Sequence, residues 1–521
     1  MKKTTLILSL ATLMCAGTAK ADNYFFSVNG AGDMDGSSWE NTAPSEYLGG
    51  LMADLKPGDA VYLQAGTYLP DRTTGRWDFP QGVTIKGGYG PDMTGTNTEI
   101  TYPTATETIL TADIDGDGKG DNADRAFIVI ANELTDGWKG DKTWADYEKT
   151  TVAGITVRDA LYTGTSTYKG AAVFAVHANV EFDNVKFIDN ETTVGGGVVC
   201  CQGCHTVFRS CIWRDNKGTN AGVALLHRQH NGGTSADETR KGITMLDRCE
   251  FTNNTVADPT ATNVARYGGA LALADWGGTM WIVNSSVTGT DISWAGAMGR
   301  FGTGTTLYSL SNTFYDCNCS YEARHSGDIF SMGDQSHFYS INTIAVNKTD
   351  GREGMMATVF IQTDKCTFDT KGYNVWGSTF NNTTTPYAAT DNINKDNTME
   401  VVFGTNTATE AGGFNVIAPL ETFRGVPRAD LEAAAAAWEM PREIDITLDQ
   451  TGKIRPDNTI PGCYDANSTT GIADITAAGE KTAADSDAVY NLQGIRVGSH
   501  ADMATLPAGL YICGGKKYLV K

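Results

Sequence analysis

Five aspartates fall within the twelve-residue segment "DIDGDGKGDNAD" (Asp113–Asp124). They hold positions 1, 3, 5, 9 and 12, and Gly118 stands at position 6, where a calcium-binding loop turns sharply. So many close carboxylates repel one another unless a cation neutralises them. The spacing predicts a structural calcium site, and a solvated acidic turn is the alternative. The expected ligands are Asp113, Asp115, Asp117, the Lys119 carbonyl, Asp121 and Asp124.

Two features separate this loop from a calcium-sensor hand. Position 12 is the shorter Asp rather than Glu, and the flanking stretches "ETIL" and "RAFIVI" read as strands rather than helices. The loop more closely resembles the Asp-rich calcium loops of thrombospondin type 3 repeats.

A second group of polar residues lies in "LLHRQHNGGTSADETRK" (Leu225–Lys241). His227, Arg228 and His230 belong to this segment, and Asp275 follows Gly269 by the same six residues that separate Arg228 from Gly222. We expect these four side chains at the edge of a binding surface, because long loops on a rigid scaffold commonly carry function. The alternative is a tolerated insertion with surface salt bridges.

A repeat explains how such loops would be positioned. One apolar residue, called the anchor, recurs in each unit of the repeat. In several units an asparagine follows the anchor three places later, and a glycine-rich phrase follows every anchor except the last. The basic unit is 26 residues long, and extra residues are confined to two turns. This pattern predicts a solenoid of short strands whose asparagines form ladders at a corner. The anchors are Val157, Phe187, Trp213, Phe251, Val287, Phe314 and Ile344.

The two phrases resemble the "FxxN" and "GGA[ILV]" repeats of polymorphic outer-membrane proteins. The phrases "GDAVYLQAGTY" and "DQTGKIRPDNTIPGCYD" resemble the first rungs and closing segment of secreted proteins of the pectin-lyase-like superfamily. These resemblances imply an all-β fold, a right-handed parallel β-helix. A helix within "ADLEAAAAAWEM" is expected to help cap the open end of the solenoid.

The last residues, "AVYNLQGIRV…LPAGLYICGGKKYLVK", contain two readable hairpins. They resemble the C-terminal sorting domains of type IX secretion substrates. This implies a small β-sandwich-like domain, contact with secretion machinery, and passage to the outer-membrane surface. A small β domain that only stabilises the end is the alternative.

The N-terminus has the features of a signal peptide, with Lys2 and Lys3 before an apolar run and Ala19 and Ala21 at the cleavage site. The net charge of −21 argues against nucleic acid as a partner. The irregularly spaced cysteines predict buried small residues with one or two disulfides rather than zinc.

The sequence therefore divides into a signal peptide (1–21), an N-terminal cap and first rungs with the calcium loop (22–150), a β-helix core (151–377), a C-terminal cap and closing segment (378–465), a linker (466–486) and a sorting domain (487–521). We expect an exported cell-surface protein that binds a polysaccharide or cell-surface glycan, or that serves as an adhesin or structural protein. The alternative is a polysaccharide lyase or glycoside hydrolase on the same fold.

Overall fold

The computed structural model describes residues 21–118, 120–122, 126–131, 147–164, 170–193, 197–218, 223–228, 242–256, 271–274, 278–292, 299–319, 327–346, 357–361, 365–377, 387–394, 396–470, 488–490, 496–499, 506, 509–513 and 516–520. Three long sheets, each with every strand parallel to its neighbours, form the main body. Each sheet takes one strand from successive turns of the chain, with pairs such as Phe187 beside Trp213 in register. The fold is a parallel β-helix.

The strands of the three sheets follow in stacking order. Sheet 1 contains Ala43–Pro44, Asn23–Ser27, Ala60–Gln64, Thr84–Tyr89, Thr150–Ala153, Asn179–Asp183, His205–Arg209, Ile243–Asp247, Thr279–Val283, Thr306–Leu310, His337–Ile341 and Thr367–Gly372. Sheet 2 contains Gly66–Tyr68, Thr108–Thr111, Ile155–Arg158, Lys186–Ile188, Ile212–Arg214, Glu250–Thr252, Ser286–Thr288, Thr313–Tyr315, Ile344–Val346, Val375–Trp376 and Asn392–Ile393. Sheet 3 contains Trp77–Phe79, Ile128–Ala131, Val173–Val176, Val199–Gln202, Leu225–Arg228, Leu271–Ala274, Gly299–Phe301, Gly327–Met332 and Ala357–Ile361.

Shorter strands and three helices complete the described elements. Six two-residue strands lie between sheets 2 and 3. The first four form one small parallel sheet: Leu161–Tyr162, Glu191–Thr192, Lys217–Gly218 and Thr255–Val256. The last two, Asp291–Ile292 and Asn318–Cys319, form a parallel pair. The helices are α1 (Leu48–Met52), α2 (Met399–Phe403) and α3 (Arg428–Ala437), with 3-10 turns at Ser45–Tyr47 and Glu421–Phe423. Antiparallel pairs join Thr409–Ala411 to Phe414–Val416 and Val426–Pro427 to Asn458–Thr459. None of the described helices is long and apolar enough to cross a membrane.

Inward side chains stack from rung to rung and form the core. Trp213 stacks on Phe251 with ring centroids 4.4 Å apart, and Phe182 stacks on Phe208 at 4.9 Å. The anchors through Phe314 are in register, as predicted. The anchor at Ile344 is wrong, because Phe314 pairs with Ala345. Ile344 instead points outward and packs against Val402 and Phe403 of α2. A large apolar residue is therefore buried on the outer face of sheet 2, because α2 covers that face.

The predicted asparagine ladder is present at the corner after sheet 2. Asn190, Asn216 and Asn254 are fully buried, and the Asn216 amide donates to Asn254 Oδ1 at 2.8 Å and to the Phe187 carbonyl at 2.9 Å. The left-handed residue at this corner is the one before each asparagine, for example Asp189 with φ 54°. The turn therefore directs the asparagine side chain inward, where it bonds backbone groups of the adjoining rungs.

Helix α1 covers the N-terminal end of the core through Leu48, Leu51 and Met52. The opposite end continues through Asn392–Ile393, which pairs with Val375–Trp376. We expected the rest of the segment up to residue 465 to cap this end, but the structure places it along the sides. Helix α3 packs on the outer face of sheet 1, beside Trp281 and Val283. Trp281 is buried under this helix rather than inside the solenoid.

Residues 443–463, here called the C-terminal strap, cross successive corners between sheets 1 and 2. Arg209 donates to the Glu443 carbonyl at 2.8 Å, and Gln450 Nε2 donates to the Cys249 carbonyl at 2.9 Å. Further along, the Gly462 amide donates to the Asn342 carbonyl at 2.9 Å. The strap therefore links the rungs from Arg209 to Asn342.

The tail is a four-stranded antiparallel sheet in the order Arg496–Ser499, Ala488–Tyr490, Gly509–Cys513 and Lys516–Val520. Its outer pairs are the two hairpins read from the sequence, which confirms that prediction. The central contact pairs Val489 with Cys513. In the described part of the tail, these strands form one sheet.

Candidate functional site

A cleft of about 1350 Å³ opens at the N-terminal end of sheet 3 and is called the N-terminal cleft below. One wall comes from residues 45–57, which include α1, and the other from residues 69–76. The first strand of sheet 3, Trp77–Phe79, forms the floor, and residues 147 and 148 close one side. On that strand Trp77 and Phe79 point into the core, so Asp78 faces the cleft. The repeat pattern did not reveal this site, because its walls belong to the non-repeating cap.

Charged and apolar groups both line this cleft. Its lining includes four acidic residues and two arginines: Glu46, Asp71, Asp78, Glu148, Arg72 and Arg76. Arg76 Nε lies 3.0 Å from Asp78 Oδ2, and both side chains are exposed. The Asp71 carboxylate accepts the backbone amides of Thr73 and Thr74 at 2.8 and 3.1 Å, and these hydrogen bonds lower its pKa. Leu69, with 38% of its surface exposed, adds an apolar edge.

The aspartate loop lies beside this cleft. Oxygen atoms of Asp113, Asp115 and Asp117 all lie within 4.8 Å of one another, the arrangement a cation would need. Backbone amides help to hold them, since Gly116 and Gly118 donate to the two oxygens of Asp113 at 2.9 and 3.0 Å.

Asp121 instead accepts the amides of Ile114 and Asp115 at 2.7 and 3.2 Å. It therefore shapes the loop from within rather than joining the three clustered carboxylates. Two expected ligands, Lys119 and Asp124, lie outside the described residues.

Residues 72–75 connect the two features. They line a second depression of about 350 Å³ together with Ile114, Asp115, Asp121 and Asn122. Arg72 and Thr74 line both the depression and the N-terminal cleft. An ordered aspartate loop would therefore support one wall of the cleft.

A cluster of charged side chains, here called the ionic cluster, lies on the outer face of sheet 1. It comprises Lys149, Glu181, Asp183, Arg209 and Asp247. Asp183, Arg209 and Asp247 are register partners on three successive rungs, and Glu181 pairs with both Lys149 and Arg209. Lys149 follows directly on the residues that close the cleft.

The two acids of one strand in this cluster have opposite pKa shifts. Burial raises the pKa of Asp183. Burial would also raise the pKa of Glu181, but hydrogen bonds and charges from Lys149 and Arg209 bring it below its usual value. Asp247 is almost fully buried, and burial raises its pKa as well. The sequence does hold a signal for this cluster, because Asp183, Arg209 and Asp247 each lie four residues before an anchor.

The expected binding residues of the insertion are only partly described. His227 is fully buried and points into the solenoid, with Nδ1 2.7 Å from Thr244 Oγ1. The prediction that His227 lies at the edge of a binding surface is therefore wrong, because a histidine buried in the core cannot line a surface. The backbone of Arg228 pairs with Ala274, one residue before Asp275. His230 and Asp275, like most of the segment Leu225–Lys241, lie outside the described residues.

The cysteines contribute no chemistry that the structure reveals. No disulfide joins the described residues Cys201, Cys204, Cys211, Cys249, Cys366 and Cys463, so the expected disulfides are not found among them. Burial raises the pKa of Cys204 to about 12 and that of Cys201 as well, which opposes the thiolate form that metals bind.

The sequence matches no protein-family model, and no curated protein matches it. Two solved structures show some likeness to part of this chain. The pectate lyase Pel9A is 13% identical, with 72% of this chain and 82% of that chain covered and a TM-score of 0.35. Pectate lyase II from Xanthomonas campestris pv. campestris is also 13% identical, with 82% and 96% covered and a TM-score of 0.23. At these scores, the assignment of the fold depends on the strand pairing described above.

Proposed function

We propose that the protein is an exported, surface-located β-helix that binds polysaccharide in the N-terminal cleft. The cleft itself carries the proposal. It is an open groove of about 1350 Å³ with apolar edges and several carboxylates, built on a rigid sheet. Grooves with apolar walls and a few polar groups are the usual form of ligand sites. Sugars suit this mixture, because their C–H faces are apolar and their hydroxyls need hydrogen-bond partners.

The expected calcium ion belongs to this proposal as a structural component. Asp113, Asp115 and Asp117 would bind it, and the ion would offset their mutual repulsion. Because the aspartate loop adjoins residues 72–75, a bound ion would stiffen one wall of the cleft.

Export is supported by the two ends of the sequence. The charged and apolar N-terminal pattern suits a signal peptide, and the tail forms the two hairpins that its sorting-domain phrases suggested. We propose that the tail engages the secretion machinery and leads the protein to the outer-membrane surface.

A steric block tests the location of binding. Gly50 lines the cleft, and a Cβ added there meets no atom within 4 Å, so Gly50→Trp introduces a bulky side chain from an open position of the cleft wall. A matched control is Val401→Trp on α2, at a site 49% exposed. Binding to an array of purified polysaccharides should weaken at least tenfold in the first variant and remain unchanged in the second. Equal loss in both variants would refute the location, and no binding by the unmodified protein would refute the function.

A second candidate function, cleavage of the polysaccharide, is favoured by the ionic cluster. Neighbouring acids with opposite pKa shifts suit general acid and base roles. Asp183→Asn should then abolish time-dependent release of new chain ends, whereas the exposed Asp189→Asn should not. Intact polysaccharide after prolonged incubation with the unmodified protein would leave binding as the function.

A further inference from the structure

The charges of the N-terminal cleft indicate which class of polysaccharide it accepts, provided that the proposed function is correct. Among the acidic groups, Glu46 and Glu148 form no ion pair within the described part of the chain. The Arg76 guanidinium is already paired with Asp78. Arg72 is therefore the one cleft cation without an ionic partner among the described residues.

The surroundings strengthen this negative balance. The chain as a whole carries −21, so its long-range field adds to the charge of the cleft. Two carboxylates a few ångström apart repel each other in water, and they repel more strongly where solvent is partly excluded. Each uronate unit along the groove would meet this repulsion, and one arginine cannot offset it.

The same carboxylates favour a polymer of uncharged sugars. Carboxylate oxygens are strong acceptors, so they suit ligand hydroxyl groups, which donate. The apolar edges at Leu69 and Pro70 can cover the C–H faces of the rings. We infer that the N-terminal cleft binds a neutral polysaccharide and discriminates against polyuronates.

Matched polymers provide the test. Polygalacturonate and alginate are each compared with the carboxyl-reduced form of the same polymer, which keeps the linkages and removes the charge. Binding to the mature protein is measured by calorimetry at low and physiological salt, with calcium and with chelator. At least one neutral form should bind ten times more tightly than its acidic parent. Added salt should narrow that difference, because it screens the repulsion.

Variants assign the effect to the cleft. The double variant Glu46→Gln, Glu148→Gln should improve binding of the acidic polymer several-fold. The control Glu99→Gln, Glu410→Gln removes the same charge from exposed positions that do not line the cleft, and it should leave that binding unchanged. The inference is overturned if the acidic form binds as tightly as the neutral one, with or without calcium, or if the control improves binding as much as the cleft variant. If neither form binds and no other polysaccharide does, the proposed function fails instead.

Discussion

Removing one side chain from the middle of the asparagine ladder should weaken the solenoid strongly. In Asn216→Ala, the Phe187 carbonyl loses the amide donor that lies 2.9 Å from it. The backbone amide of Asn190 loses the Asn216 Oδ1 acceptor at 3.0 Å. Both groups lie inside the stack, so water cannot replace the lost partner without opening the corner.

The size of the effect follows from these two groups. A buried polar group without a partner costs about 1–3 kcal/mol, so two such groups predict a loss of about 2–6 kcal/mol. The other bonds of the site survive in part, since Asn190 Nδ2 still reaches the Val157 carbonyl at 3.1 Å. Asn97→Ala is the matched control, because its carboxamide accepts the exposed amide of Glu99 at 3.0 Å rather than a group inside the stack. A loss below about 1 kcal/mol is expected there.

Urea denaturation followed by tryptophan fluorescence and circular dichroism measures both variants. Asn216→Asp adds a diagnostic, since its carboxylate would face the Phe187 carbonyl and Asn254 Oδ1, both of which need a donor. It should be more damaging at neutral pH than near pH 4, where the protonated acid can donate. If Asn216→Ala shifts the midpoint no more than Asn97→Ala, the ladder does not stabilise the fold in the way described.

Three further predictions concern other parts of the chain. Calorimetric titration should show calcium binding that Asp115→Asn and Asp117→Asn weaken at least tenfold; an unmodified protein that binds no calcium would contradict this. Burial lowers the pKa of His227 to about 4. The folded state therefore binds fewer protons than the unfolded state, and up to about 3 kcal/mol of stability present above pH 6.5 should be lost as the pH falls toward 4. His227→Gln should reduce that pH dependence, and an unchanged profile would argue against it. Deletion of residues 487–521 should leave a folded solenoid that no longer reaches the cell surface, and normal surface levels would contradict the sorting role.

The repeating part of the fold could be predicted because one apolar residue in each rung faces the core and recurs in the sequence. Phe187 and Trp213 are large, lie 26 residues apart and are each followed three places later by asparagine, and the structure stacks them as expected. The error at Ile344 has a physical cause. An apolar residue on a strand shows that its side is covered, but not whether the core or another segment covers it. Here the distant helix α2 covers the outer face, and Ala345 points inward.

The candidate site could not be predicted for a related reason. The wall residues Glu46 and Arg72 come from two cap segments without a repeat, and only their tertiary packing creates a groove. The ionic cluster depends on register between rungs, which places Asp183 beside Arg209. By contrast, the proximity of Asp113, Asp115 and Asp117 follows from local spacing, because the three residues lie within one short loop.

The C-terminal strap has a consequence for how this chain can change in evolution. Solenoids commonly grow or shrink by duplication or loss of whole repeats. An extra 26-residue rung between Arg209 and Asn342 would lengthen the stack by about 4.8 Å. Contacts at Glu443 and at Gly462 could then no longer be made together by a strap of unchanged length. The strap therefore fixes the number of rungs in this span, and descendants with more rungs should have gained them elsewhere or have lengthened the strap at the same time.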